Sequence, residues 1–318
     1  MRKLKSISII IPCYNEQEVV GETHQRITSI MQGLLKDSKF LDYEILYIND
    51  GSIDATQKAL DSIFDKDSHV RILELRRNFG LQGALCAGLA FAKGDAAVTI
   101  DADLQDPPEK IEEMITFYEQ GYDLVLGVRK DRHTDTFFKR STAECFYNVL
   151  KVLGVEIVPN HGDFRLMARG LIDEFNTLTE RNRFIRAIVL SLDNHYATVL
   201  YKREPRLRGS TKFSFGKMLS FSLDGILSFT FMPLRVVSIA GILCCLLAMA
   251  GSAYIFYSKI IGNVLPGWTS TVLPMFIFSG IQLLSLGIIG EYIGRLYVEV
   301  KQRPLYSIRR ELKRNPDS

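Results

Sequence analysis

The stretch AAVTIDADLQDPPE, Ala96–Glu109, opens as a short apolar run and turns at once into acids, an amide and two prolines. An apolar run of this length is too short for a buried helix and reads as a buried strand. Similar runs stand at Ile7–Ile11, Glu44–Ile48, Val70–Leu75 and Leu124–Val128, each bounded by polar residues. Helical patterns fill the gaps, at Glu16–Leu35, Ile53–Phe64, Gly80–Ala92 and Pro108–Glu119. Strand and helix alternating in this way predict an α/β fold, a mostly parallel sheet flanked by helices.

In such sheets ligands bind beyond the carboxyl ends of the strands. Three of those ends carry chemistry: Pro12-Cys13-Tyr14-Asn15-Glu16, Asn49-Asp50-Gly51-Ser52, and Asp101-Ala102-Asp103-Leu104-Gln105-Asp106. Acids gathered at one edge repel one another unless a cation or hydrogen-bond donors accompany them. If the strand's two-residue period continues, Asp101 and Asp103 emerge on the same side. Hard divalent ions such as Mg²⁺ or Mn²⁺ take oxygen ligands and bridge to substrate phosphates, so Asp101, Asp103 and the amide oxygen of Gln105 form a candidate metal set. Asp106, next to the prolines, reads as a turn or helix-cap residue. No G-x-G-x-x-G follows the first strand and no G-x-x-x-x-G-K-[ST] occurs, which disfavours dinucleotide dehydrogenases and P-loop enzymes. The glycines between Gly80 and Gly88 sit on a helical pattern and read as packing positions.

Composition narrows the class further. With 39 Lys+Arg against 36 Asp+Glu, the net charge of +3 gives no reason to expect a nucleic-acid partner. Cys13, Cys86, Cys145, Cys244 and Cys245 lack metal-ligand spacing and suggest a reduced, cytoplasm-facing domain. The N-terminal apolar run stops at Pro12, as a first strand does and a signal peptide does not.

Val236–Tyr257 and Val272–Gly290 contain no charged residue. Each has the length of about 20 residues that crosses a hydrocarbon core. They predict two transmembrane helices, about 236–257 and 272–292, within a segment 233–296. The short outward loop between them holds Trp268. Lys301, Arg303, Arg309, Arg310, Lys313 and Arg314 make 297–318 a basic tail, cytoplasmic by the positive-inside rule, and two spans put the N-terminal domain 1–212 on the same side. Residues 213–232 show helical amphipathicity, with Phe215, Met218, Leu219, Leu223, Ile226 and Leu227 on one face. That pattern suits an interfacial helix, or equally one packed on the catalytic domain. Gly290-x-x-x-Gly294 and the i,i+4 pair Glu291–Arg295 suit a homo-oligomer or packing within the hairpin itself.

The runs IIIPCYNE, NDGS, DADLQDPPE and HGDFRLMAR, followed by the apolar hairpin, together resemble family 2 glycosyltransferases of the polyprenyl-phosphate type. The resemblance extends over nearly the whole soluble domain, and several motifs in order are far more specific than one. It implies a GT-A fold in which Pro12, Tyr14, Glu16, Asp50 and Asp101 line the nucleotide-sugar pocket, while Asp103 and Gln105 hold the metal against the donor diphosphate. It also implies a UDP-sugar donor, a polyprenyl (undecaprenyl) phosphate acceptor, a hexose such as glucose, and a multi-pass protein of the inner (plasma) membrane.

A phosphate acceptor is largely a dianion at neutral pH and needs cationic positioning more than a base. Arginine's planar head suits that task. Arg129 after the fifth strand, Arg140, and Arg206, Arg208 and Lys212 in REPRLRGSTKF are the candidates, Arg129 being the one expected to act in catalysis. Asp163 stands where family 2 enzymes often carry a catalytic carboxylate. It is a catalytic candidate that acts as base, orients a sugar hydroxyl or pairs with Arg165. His161 reads as a loop residue, with proton transfer as the alternative. The expected reaction is inverting transfer from a nucleotide diphosphate sugar to the lipid phosphate. Its rivals are a transferase extending a polysaccharide at a hydroxyl, and a catalytically silent membrane scaffold.

Overall fold

The structure, a computed structural model, describes residues 2–130, 158–181, 183–204, 232–261 and 267–314. The chain divides into two compact units, Met1–Met218 with Pro304–Ser318, and Leu219–Arg303.

The first unit is built on an eight-stranded sheet of order β7-β5-β6-β4-β1-β2-β3-β8. Its strands are β1 (Ser6–Cys13), β2 (Asp42–Asn49), β3 (Val70–Leu75), β4 (Ala96–Thr99), β5 (Leu124–Arg129), β6 (His161–Ala168), β7 (Tyr196–Tyr201) and β8 (Ile308–Leu312). β1 pairs in parallel with β2 and β4, β2 with β3, and β5 with β7, whereas β6 and β8 run antiparallel to their neighbours. The mostly parallel sheet is therefore present. β1 lies centrally, and Ile7, Ile9, Ile10 and Ile11 are fully buried, on both faces of the sheet. Burial of each such side chain contributes about 1.5–3 kcal/mol.

Helices α1 (Val20–Lys36), α2 (Thr56–Lys66), α3 (Gly80–Phe91) and α4 (Ile111–Glu119) join the strands, with a 3-10 turn at Pro108–Lys110. α1 buries Val20, Thr23, Ile27, Met31 and Leu34, the i, i+3/4 stripe of a helix lying on a sheet. α3 is buried along most of its length, and a Cβ at Gly88 would collide with Ile10 Cγ2. The packing role expected for that glycine holds. Helices α5 (Arg169–Thr177) and α6 (Ile185–Leu192) follow β6.

β8 lies within the segment read from sequence as a basic tail. Arg71 Nη1 donates to Glu44 Oε2 at 2.6 Å and to the Phe91 carbonyl at 3.0 Å, while its Nη2 donates to Glu311 Oε1 of β8 at 2.9 Å. Arg310 pairs with Glu74 and Asp61, and Arg309 with Glu74. These tail cations are engaged with acids of the sheet unit.

The second unit contains α7 (Met232–Ile260) and α8 (Trp268–Lys301), which contact each other. Both charge-free runs are thus helical. Ile277–Lys301 is long and apolar enough to cross a membrane. Ile242, Leu243, Leu247, Leu283, Leu284 and Leu286 are all exposed. The amphipathic segment 213–231 lies outside the described residues.

Candidate active site

Parallel pairing brings the carboxyl ends of β2, β1 and β4 together. Asp50 N donates to the Cys13 carbonyl and Ile100 N to the Ile10 carbonyl, continuing the ladder past the strand ends. The loops then lock. Asn15, with φ of 54°, donates its N–H to Ser52 Oγ at 3.0 Å and accepts Ile53 N at Oδ1, while Glu16 N donates to Thr56 Oγ1 at 2.8 Å. Pro12, Tyr14 and Glu16 line this edge half-buried. Asp50 is buried, and its carboxylate accepts Phe79 N at 2.7 Å and Gly80 N at 2.9 Å at the start of α3. Burial raises its pKa against those two bonds. Asp50 therefore also ties the β2 loop to α3, a role its motif did not announce.

The acidic loop shows the expected alternation. Asp101, Asp103 and Gln105 are partly buried, while Ala102, Leu104 and Asp106 are buried. A turn maintains it in place of a continued strand. Leu104 adopts φ of 55°, a sparsely populated conformation for leucine, and Thr23 Oγ1 holds the Ala102 carbonyl at 2.6 Å. The Asp101 carboxyl is pushed up to about 7 by burial, then by Asp106, Asp163 and Asp103, with Arg129 opposing. Such mutual repulsion is the environment a divalent cation relieves. Among the described residues no group of three His, Cys, Asp or Glu side chains is arranged for a metal. Asp101, Asp103 and Gln105 share the less buried side of this loop, and carboxylate and amide oxygens are donors that a hard divalent ion accepts.

β6 runs antiparallel, so it begins at this same edge and delivers His161, Gly162 and Asp163 beside the acidic loop. Asp163 is buried between two guanidinium groups, with Arg165 Nη2 at 2.5 Å from Oδ1 and Arg186 Nη2 of α6 at 2.7 Å from Oδ2. Burial alone would raise its pKa, but Arg186 and Arg165 outweigh it and hold the carboxylate well below its usual range. His161 is a buried strand residue, not the loop residue expected. Burial, then Arg165 and Arg186, keeps its ring neutral far below the usual histidine range.

Arg129 ends β5 at the edge. Asp106, expected as a turn or helix-cap residue, sits at a bend before the 3-10 turn but caps no helix. The helical turn after it has no side-chain cap, and its buried carboxylate accepts the Tyr201 hydroxyl at 2.6 Å with Arg129 Nη2 at 3.6 Å. A proline-bounded Asp has the local pattern of a cap, but the partner that claims it lies far along the chain. Arg140, Arg206, Arg208 and Lys212 lie outside the described residues.

Residues 8–175 match the sequence profile of Glycosyl transferase family 2. The chain belongs to that family.

Similarity to individual glycosyltransferases extends much further. The uncharacterized glycosyltransferase YkcC of Bacillus subtilis is 44% identical over 310 residues, covering 95% of this chain and 93% of that protein. The SfII prophage-derived bactoprenol glucosyl transferase of Shigella flexneri is 38% identical over 312 residues, covering 98% and 99%. Among solved structures, the mannosyltransferase PcManGT of Pyrobaculum calidifontis, in complex with GDP-Man and Mn²⁺, aligns with a TM-score of 0.48 at 15% identity, over 95% of this chain and 87% of that one. The polyprenyl-phosphate resemblance read from the motifs is thus matched by full-length relatives, and the chain is a glycosyltransferase.

Among the described residues beside this candidate site, Arg186, Tyr201 and Arg203 carry no mark in the sequence motifs. Arg186 stands in RNRFIRAIVL and Tyr201 closes the strand YATVLY, neither of which carries a motif.

Proposed function

We propose that this family 2 glycosyltransferase moves a hexose, glucose by its relatives, from a UDP-sugar to polyprenyl phosphate, with inversion. The observation that carries this reading is the meeting of the acidic loop 101–106 with Arg129 at one sheet edge. Two phosphate-bearing substrates need a cation-binding half and a guanidinium half side by side. The bactoprenol glucosyl transferases, similar over almost their whole length, support the lipid acceptor.

In the proposed reaction a phosphate oxygen of the lipid attacks the anomeric carbon as the bond from that carbon to the donor diphosphate breaks. The nucleoside diphosphate leaves. Pro12, Tyr14, Glu16, Asp50 and Asp101 hold the nucleoside end. Mg²⁺ or Mn²⁺, bound by Asp103, Gln105 and Asp101, would supply positive charge at the leaving diphosphate. Arg129, with Arg140, Arg208 and Lys212, orients the attacking phosphate, chiefly a proximity effect. Asp163, fixed as a carboxylate by two arginines, orients the sugar and is not the proton acceptor that a hydroxyl substrate would require.

The acceptor implies a membrane, and chain topology supports one. β7 ends and β8 begins at the site edge of a single sheet, so both connections to the apolar helices leave from that edge. Strands before and after those helices share the sheet, so the number of crossings between them is even. If α8 crosses, a second crossing lies between β7 and β8, and the charge-free run in α7 is the candidate, which favours a multi-pass protein of the plasma membrane with sheet unit and C-terminus in the cytoplasm. Gly290 and Gly294 favour a homo-oligomer through close helix contact.

The test is a donor panel of UDP- and GDP-sugars offered to membranes containing this protein, with undecaprenyl phosphate or dephosphorylated undecaprenol as acceptor. Transfer from a UDP-hexose to the phosphorylated lipid alone supports the proposal. Equal use of the free alcohol overturns it.

A further inference from the structure

Among the described residues, Arg129 is bonded to Tyr201 and paired with Asp106. Its Nε donates to the Tyr201 hydroxyl at 3.3 Å, and its Nη2 lies 3.6 Å from Asp106 Oδ1, the oxygen that also accepts the Tyr201 hydroxyl at 2.6 Å. Asp106 and Tyr201 are buried, whereas Arg129 remains partly open. A Cβ on Gly162 would stand 3.1 Å from Arg129 Nη2 and 3.8 Å from the Tyr201 hydroxyl, tighter than an ordinary contact at the guanidinium. Three strands and one loop thus shape a seat around a single head group. The side chains on it are fixed by chemistry as well as space. Burial and then Asp106 push the Tyr201 hydroxyl's pKa upward, so it stays a donor to the carboxylate and an acceptor for Arg129.

We propose that Tyr201 and Asp106 are positioning residues that aim Arg129 at the acceptor phosphate, with Gly162 leaving the room its guanidinium needs. This rests on the reading of Arg129 as an acceptor-phosphate group. It adds a physical link between the two halves of the site. Asp106 belongs to the loop that carries Asp103 and Gln105. Gln105 is in turn joined to the end of the β7 segment, with Glu204 N donating to the Gln105 carbonyl at 2.9 Å and Gln105 Nε2 donating to the Glu204 carbonyl at 3.3 Å. The loop that would hold the metal therefore also sets the depth and angle of the arginine facing it. A phosphate oxygen misplaced by about 1 Å loses on the order of a hundredfold in rate, so a rigid seat has a kinetic purpose.

The experiment uses the full-length protein in lipid nanodiscs, with KM for undecaprenyl phosphate and kcat measured at saturating donor. The variants are R129A, Y201F, D106N, G162A and the double variant R129A/Y201F. Phe at 201 keeps the ring that packs edge-on against Phe164 at 5.7 Å, so the fold is spared. Y201F is expected to raise acceptor KM about tenfold, the usual loss for one hydrogen bond to a charged group. Donor KM should be unmoved, and Y201F should add nothing further in the R129A background. G162A should reproduce the KM effect from the other side. If Y201F and R129A multiply in the double variant, the seat is refuted while the arginine's role stands. If R129A leaves acceptor KM unchanged, the reading of Arg129 itself fails, and the seat with it.

Discussion

Arg186 grips Asp163 with two nitrogens, Nη2 at 2.7 Å from Oδ2 and Nε at 3.3 Å from Oδ1, and thereby fastens helix α6 to the first residues of β6. Arg165 takes Oδ1 from the other side at 2.5 Å. A carboxylate so held is ionised throughout the working range of the enzyme. It is a fixed negative charge and a poor base.

The acid limb of kcat should therefore follow the lipid phosphate, whose second pKa is about 6, together with Asp101, pushed up to about 7, and should show no ionisation belonging to Asp163. D163N leaves Arg165 buried and uncompensated and should cost about 3–5 kcal/mol of stability. R186Q, in which Arg165 still faces Asp163, should cost less. A pH–rate profile with phosphorylated lipid, together with thermal melts of both variants, checks this. A D163N melt that matches the native protein would remove the ion triad from the account.

Asp103 occupies the less buried side of its loop, accepting Gln105 N at 3.2 Å. If it is the main metal ligand, D103N should lower transfer about a hundredfold or more, since charge stabilisation at a leaving diphosphate is worth several kcal/mol. Manganese titration followed by paramagnetic relaxation in the presence of UDP should show weaker ion binding in D103N. Normal transfer by D103N under strict chelation would end the metal assignment.

The C-terminal strand is a structural part of the catalytic unit. Arg71 is nearly buried and bridges Glu44 of β2 to Glu311 of β8. Among the described residues, R71A leaves Glu44 with only Ser8 Oγ and Lys93 N, and Glu311 with only Lys313, and should destabilise by about 1–3 kcal/mol. E311Q, which keeps a neutral acceptor in place, should cost less. Calorimetric melts of the detergent-solubilised protein rank the two, and the opposite order would mean that β8 is held by its backbone ladder alone.

Shared membership of one sheet by β3 and β8 makes a topological prediction as well. Reporters fused at the two chain ends should respond from the same side of the membrane, and one inserted in the loop between α7 and α8 from the other. An active reporter at opposite faces for the two ends would contradict the even number of crossings.

Much of this architecture is legible in the sequence. Val70–Leu75 matches β3 to the residue, and Gly80–Ala92 overshoots α3 by one position. Local pattern sufficed there because each element buries a face that its own periodicity defines. β6 escaped for the opposite reason. His161, Asp163 and Arg165 lie in a strand that is buried throughout, and their polarity is tolerated only because cations on β6 itself and on α6 answer the carboxylate. β8, IRREL, is short and charged, and its arginines find acids more than two hundred residues away. The site divides in the same way. Asp101, Asp103 and Asp50 announce themselves by following buried strands, but the hold of Tyr201 on Asp106 spans 95 residues and leaves no mark in either neighbourhood.

His161 supplies the last prediction. It stands buried at the head of β6, facing Asp163, Arg165 and Arg186, and its folded-state pKa is depressed far below 6.5. Below that value the unfolded chain takes up a proton at this residue and the native protein does not. Stability from this group is therefore complete above pH 6.5 and is lost as pH falls, with a limiting slope of about 1.4 kcal/mol per pH unit for one proton. H161N has no proton to take up, so its melting temperature should decline less steeply than that of the native protein between pH 6.5 and 5. Other groups titrate in the same window, Asp101 in the opposite sense, so the test is the difference between the two slopes. Parallel slopes would mean that His161 is protonated in the folded state, and that the two arginines beside it do not govern its charge.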